Sequence, residues 1–234
     1  ASAPPVRLPR VFCPGMTSEF QLNEEAAHHL VGVLRLKAGH EFLAFDGTGQ
    51  EARTRILQTR PHVLVEVLEV CRPQVEPEVS VTLFLALVKG ERFDWAVEKS
   101  TELGVSSLVP MVTRRTEVRH PGEERRGRWQ RLAVSAAAQS GRVQVPEIET
   151  PLDFAQALDR ASGFEQAFLL KPGGVSLPGS RADRVALLVG PEGGFSDEEV
   201  REAQVRGLLL VGLGPRTLRV ETAALAALAR IIQT

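Results

Sequence analysis

The sequence predicts an α/β protein in two parts: a small β-rich domain over residues 1–72 and a larger α/β domain over 73–234, the latter built on a mainly parallel sheet. Three observations carry this. Short β runs separated by turn residues fill the N-terminal third. The stretch from Arg72-Pro73 to Pro77 then breaks every periodicity and reads as a linker. Beyond it, continuous apolar runs alternate with helical segments, beginning with VTLFLALV at Val81–Val88, the pattern of a strand covered on both faces.

In the first part, Glu41 to Phe45 and Glu51 to Leu57 read as strands joined across Asp46-Gly47-Thr48-Gly49, a hairpin-turn composition, and His62 to Val70 reads as a third. Between Asn23 and Leu34, the residues Ala26, Leu30, Val33 and Leu34 recur at helical spacing, which places one helix inside this barrel-like unit. In the second part, a helix runs from about Glu91 to a stop at Gly104. Strands follow at Leu108 to Val112, Gln166 to Leu170, Val185 to Val189 and Leu208 to Val211. The predicted helices are Glu123 to Gln139, Leu152 to Asp159, Asp197 to Arg206 and Glu221 to Ile232.

Composition narrows the function. Hydrophobic residues make up 43% of the chain and charged residues 24%, ordinary for a folded protein, and the formal net charge is −1. Any nucleic-acid contact must therefore come from a local basic patch. The two cysteines, Cys13 and Cys71, have no metal or disulfide spacing, and the histidines His28, His29, His40, His62 and His120 show none either, so metal-free chemistry is expected. No stretch approaches the roughly 20 apolar residues of a membrane span, and the N-terminus has no signal-peptide core. A cytoplasmic protein without membrane association is expected.

The most informative segment is the end of the Val185–Val189 strand, where Gly190-Pro191-Glu192-Gly193-Gly194 leads at once into a helix. Ser196 can cap that helix while Glu199 reaches back, and Phe195 can pack toward Val200. Glycines at the carboxyl end of a strand let a ligand approach the backbone, in the crevice where open α/β sheets bind ligands. A tight turn without a ligand is the competing reading. A second corner, Gly212-Leu213-Gly214-Pro215-Arg216, follows the next strand and continues through Thr217-Leu218-Arg219-Val220-Glu221-Thr222 into an Ala-rich helix. Neither corner matches the dinucleotide or phosphate-loop patterns. Between Thr113 and Arg142, Arg114, Arg115, Arg119, Arg125, Arg126, Arg128, Arg131 and Arg142 outnumber the acids, a plausible RNA track with a solvated helix face as the alternative.

These residues together resemble the RsmE family, 16S ribosomal RNA uridine-N3 methyltransferases of the SPOUT superfamily. The resemblance rests on Gly190-Pro191-Glu192-Gly193-Gly194 with Leu213 to Ala223, and extends to Lys89-Gly90-Glu91-Arg92, Glu98-Lys99, Glu102-Leu103-Gly104, Gln139-Ser140-Gly141-Arg142, Pro9-Arg10-Val11-Phe12, His28-His29-Leu30, Val33-Leu34-Arg35 and Asp46-Gly47. It implies a PUA-like N-terminal barrel, a C-terminal SPOUT domain with a deep trefoil knot, a homodimer, and S-adenosylmethionine as cofactor. Carried over, the cofactor residues are Leu170, Val189, Gly190, Glu192, Gly193, Leu213, Gly214, Leu218, Arg219, Thr222 and Ala223. RNA contacts fall to Arg10, Arg35, Lys89, Arg92, Arg114, Gln139 and Arg142. Val11 stands where the family commonly has an aromatic residue.

On this reading, uridine N3 attacks the sulfonium methyl in line, Arg219 or Arg142 favours the anionic base, and Glu192 is the candidate proton acceptor. Two rivals stay open: a SPOUT methyltransferase acting on another RNA target, and a noncatalytic RNA-binding assembly factor.

Overall fold

The computed structural model describes residues 8–118, 121–179 and 182–233; the expectations placed on Arg119 and His120 lie outside them. The chain forms two compact units. One comprises residues 1–76 with 137–145, the other 77–136 with 146–234.

In the first unit, five strands form one sheet in the order β1-β3-β4-β5-β2: β1 Arg10–Phe12, β2 Glu19–Gln21, β3 Glu41–Phe45, β4 Glu51–Gln58 and β5 Leu64–Cys71. The pairs β3/β4, β4/β5 and β2/β5 are antiparallel, and β1 joins β3 in parallel. Asp46 sets the β3–β4 turn, its Oδ1 accepting from the N–H groups of Thr48 (2.7 Å) and Gln50 (3.1 Å) and its Oδ2 from the Thr48 hydroxyl at 2.7 Å. The predicted helix is split into α1 Glu24–Ala27 and a π-helical segment His28–Val33. Asn23 accepts from Ala26 N–H at 2.8 Å and so starts α1. Leu30, Phe42, Ala44, Ile56 and Val65 are buried together as the core, and the strand pleat turns alternate residues of β4 inward: Ala52, Thr54 and Ile56. Burial within this core pushes the Cys13 thiol up to about 12, which leaves it protonated and unreactive at neutral pH.

The expected linker is not a free connection. Glu76 is bound to the chain much further on. Its Oε2 accepts from Arg142 Nε at 2.9 Å and Nη2 at 2.8 Å, and its Oε1 accepts from the N–H groups of Val143 and Gln144 at 2.9 Å each. Arg10 closes the same region. Its Nη1 donates to the Ala137 and Ala138 carbonyls and its Nη2 to the Arg142 carbonyl, while Glu51 pairs with it at 2.5 Å. These bonds explain why residues 137–145 count with the first unit, a connection that a boundary at residue 72 does not anticipate.

In the second unit all strand pairs are parallel, in the order β12-β10-β11-β6-β7-β8, with β9 also on β7. The strands are β6 Ser80–Ala86, β7 Ser107–Val112, β8 Glu147–Ile148, β9 Leu152–Asp153, β10 Gln166–Ser176, β11 Arg184–Val189 and β12 Leu209–Gly212. The helices are α2 Arg92–Leu103, α3 Glu123–Ser140, α4 Phe154–Ala161, α5 Asp197–Val205 and α6 Val220–Ile232. Leu152 and Asp153, expected in a helix, are instead the short strand β9, because Asp153 is the N-cap of α4 and forms a capping box with Gln156. The core between sheet and helices gathers Phe84, Val109, Met111, Leu169, Ala186 and Leu188 from the strands with Phe154, Leu158 and Ala203 from the helices. Among the described residues, no helix is long and apolar enough to cross a membrane.

Candidate cofactor and active site

At the carboxyl ends of three neighbouring strands, β12, β10 and β11, the second unit holds a cavity of about 580 Å³, within the range of small-molecule sites. Three corners line it. From β10 come Leu170, Lys171 and Pro172; from the β11–α5 turn come Val189 to Phe195; from the β12–α6 turn come Leu213, Gly214 and Arg216 to Val220, with Ala223 one helical turn into α6.

The β10 corner is a bulge. Leu170 and Val175 both register opposite Val211 of β12, so Lys171 to Gly174 are extruded from the ladder at the cavity wall. Gly174 makes the bulge possible, since a Cβ there would lie 2.5 Å from the Val211 carbonyl carbon. The β11 corner is tight as well, though against a side chain. The ring of Phe195 folds back over Gly190, where an added Cβ would meet it at 3.0 Å and push it aside. Phe195 in turn packs on Phe154 at 5.6 Å between ring centroids.

Helix α5 begins as its sequence predicts. The Ser196 hydroxyl accepts from Glu199 N–H at 3.2 Å, and Glu199 Oε2 accepts from Ser196 N–H at 2.7 Å. Glu199 is buried and its second oxygen accepts from the Arg114 N–H at 2.9 Å, an engagement that the local motif does not reveal.

All the residues assigned above to the cofactor line this cavity except Thr222, which is exposed. The reason is helical phase: Val220 and Ala223, three apart, share the cavity face of α6, and Thr222 is turned away from it. The lining residues that the assignment lacked include Lys171, Pro172, Arg216 and Thr217, with Pro191, Gly194, Phe195, Val200 and Val220 around them. Arg216 and Thr217 lay within the quoted motif, whereas Lys171 and Pro172 were hidden because strand periodicity ends at Leu170 and says nothing of a bulge.

The charged lining consists of Lys171, Arg216, Arg219 and one carboxylate, Glu192, which is ion-paired with Arg92. Arg219 is exposed at the N-cap of α6 and makes no side-chain capping bond. Arg142 is different. It is 5% exposed and gripped by Glu76, and the Arg10 side chain, 8% exposed, lies against Glu51 with its guanidinium 5.0 Å from the Phe45 ring centroid. Arg142 and Arg10, both expected at the RNA and Arg142 also in catalysis, are thus engaged in ion pairs and hydrogen bonds within the first unit. Arg35, Arg114 and Gln139 are exposed, and Lys89 pairs with Glu117. On α3, Arg125 stacks on Trp129 and donates to the Gly90 carbonyl, and Arg128 pairs with Asp94, so that helix face is partly committed within its own unit. Among the described residues, no group of His, Cys, Asp and Glu is arranged to hold a metal ion.

Comparison with known proteins agrees with this architecture. Residues 75–232 match the family model described as an RNA methyltransferase domain, and residues 22–68 match an RNA methyltransferase PUA domain. The chain is 36% identical over 212 residues to ribosomal RNA small subunit methyltransferase E of Synechocystis, covering 87% of this chain and 69% of that protein. It is 31% identical to the protein of that name in Bacillus subtilis, over 91% of this chain and 89% of the other. Among solved structures, ribosomal RNA small subunit methyltransferase E of Neisseria gonorrhoeae, bound to S-adenosyl methionine, superposes with a TM-score of 0.88 at 31% identity. That match covers 95% of this chain and 96% of that one.

Proposed function

Since the chain belongs to the ribosomal RNA small subunit methyltransferase E family, we propose that it transfers a methyl group from S-adenosylmethionine to N3 of a uridine in 16S ribosomal RNA of the small subunit. The observation that carries this is the strand-end cavity, walled by the Gly190–Gly194 and Leu213–Arg219 corners, in the unit that matches the methyltransferase domain. Its chemistry fits the cofactor. Leu170, Val189, Leu213 and Leu218 offer apolar walls to an adenosine, and backbone at the glycine corners offers hydrogen bonds to its polar edges.

When bound, S-adenosylmethionine would supply a sulfonium methyl open to in-line attack by a nitrogen nucleophile, with the neutral thioether of S-adenosylhomocysteine as the leaving group. The chain's own part is to prepare that nucleophile. Arg219, exposed beside the cavity, stabilises the uridine base as its N3 proton leaves, a preorganised charge placed where negative charge develops. Glu192 is the carboxylate of the lining and accepts that proton, with Arg92 holding it at the rim. RNA is held by the exposed Arg35, Arg114 and Gln139 together with Lys89 and Arg92. The reading includes the deep trefoil knot of the SPOUT superfamily, a homodimer measurable by light scattering, and a cytoplasmic location, where the small subunit resides.

The test is to incubate the protein with labelled S-adenosylmethionine and small subunits from cells lacking uridine-N3 methylation, then to map modified nucleosides by mass spectrometry. A single 3-methyluridine is the expected product. Methylation elsewhere would move the target to another RNA position, and cofactor binding without any transfer would favour the assembly-factor reading.

A further inference from the structure

We propose that Arg115 is a positioning residue for cofactor binding: it clamps the Gly190–Gly194 turn from outside the cavity and holds it in its ligand-ready shape. The inference rests on the cofactor reading of that cavity. Arg115 Nη1 donates to the Gly193 carbonyl at 2.5 Å, and its aliphatic stem lies against the same residue, so that a Cβ on Gly193 would stand 3.3 Å from Arg115 Cδ. Gly193 lines the cavity, but Arg115 does not.

The clamp is itself anchored. The loop after β7 is closed by the Thr116 hydroxyl, which accepts from Thr113 N–H at 2.9 Å, and both threonines are buried. Next door, Arg114 N–H donates to buried Glu199, whose other oxygen accepts from Ser196 N–H at the end of the turn. The turn is therefore gripped at Gly193 by the Arg115 side chain and at Ser196 by Glu199 of α5, which the Arg114 N–H ties to the same loop. Inside the turn, Gly194 N–H donates to the Pro191 carbonyl at 2.8 Å. A glycine-rich turn left to itself samples many conformations, and each must be given up when a ligand binds. Holding it beforehand removes that cost from the binding step.

The experiment uses the full chain and S-adenosylhomocysteine as probe, with Kd by calorimetry, the unliganded melting temperature, and hydrogen exchange at the Gly194 amide. Arg115→Ala is expected to weaken probe binding by about five- to tenfold, the scale of one lost hydrogen bond. The unliganded melting temperature stays unchanged, the Gly194 amide exchanges faster, and Arg115→Lys restores part of the affinity. Unchanged Kd and unchanged exchange in Arg115→Ala would overturn the clamp. If the unsubstituted protein does not take up the probe, the cofactor reading fails instead, and the exchange rate still decides whether Arg115 holds the turn.

Discussion

Arg142 and Arg219 carry the same side chain, each stands in a motif that the sequence singles out, and each was assigned to the same developing charge. In the structure, Arg142 is 5% exposed, with Nε and Nη2 both on one carboxylate of Glu76, whereas Arg219 is exposed at the first turn of α6 beside the cavity. Motif membership does not separate an arginine held in a buried ion pair from one left at the surface. Burial and a matched acid do. Arg142 needs Glu76 because a guanidinium out of water without a counter-charge is costly, and Glu76 needs the arginine and two backbone N–H groups for the same reason.

The sharpest way to break this comparison is Arg142→Ala. Removing Arg142 leaves the largely covered Glu76 carboxylate with only the Val143 and Gln144 N–H groups, and a loss of about 3 kcal/mol is expected in denaturant unfolding of the protein. A loss below about 1 kcal/mol would return Arg142 to the candidates for chemistry. Arg219→Ala should do the opposite: kcat falling about 100-fold, the effect of deleting one preorganised charge or donor, with the melting temperature unchanged. Full turnover in that variant would remove Arg219 from the proposed mechanism. Smaller is Ser196→Ala. It removes the α5 cap and should cost about 1 kcal/mol of stability, read from the urea midpoint, with Glu199 still tied to Arg114.

How far the sequence discloses the molecule follows the same division between local and distant partners. Elements set by a local pattern are legible: β3 coincides with Glu41–Phe45, α5 starts at its Ser196–Glu199 box, and the two glycine corners meet at one cavity because both end neighbouring parallel strands. Features set by a partner far along the chain are not. The stretch holding Glu76 has linker composition, and only its bonds to residues 142–144 make it an anchor. β1 and β2 have three residues each, too short for a periodicity, and exist by pairing with β3 and β5. The bulge after Leu170 depends on the backbone of Val211 passing beside Gly174, a contact with no signature in Lys171-Pro172-Gly173.

Acid provides the gentlest probe of partners distant in sequence, through Glu149. Its Oε1 accepts from Arg160 Nη2 at 2.7 Å and from the Ser107 hydroxyl at 2.5 Å, linking the start of β7 to α4. Hydrogen bonding from Arg160 holds its carboxyl below the usual range, against the opposing effect of burial and with help from Ser107. A carboxyl depressed by folding stabilises the native state once pH exceeds its unfolded pKa, about 4.3 for glutamate. That contribution is lost as pH falls through the lower folded value. Arg160 is 39% exposed, so solvent limits the effect to no more than about 1 kcal/mol. In melting temperatures measured from pH 7 down to pH 3, Glu149→Gln should start below the unsubstituted protein, and the gap should narrow only below about pH 4. A gap that stays constant over that range would mean that Glu149 acts through its shape and hydrogen bonds, not its charge, and that the Arg160 pair contributes nothing to stability beyond packing.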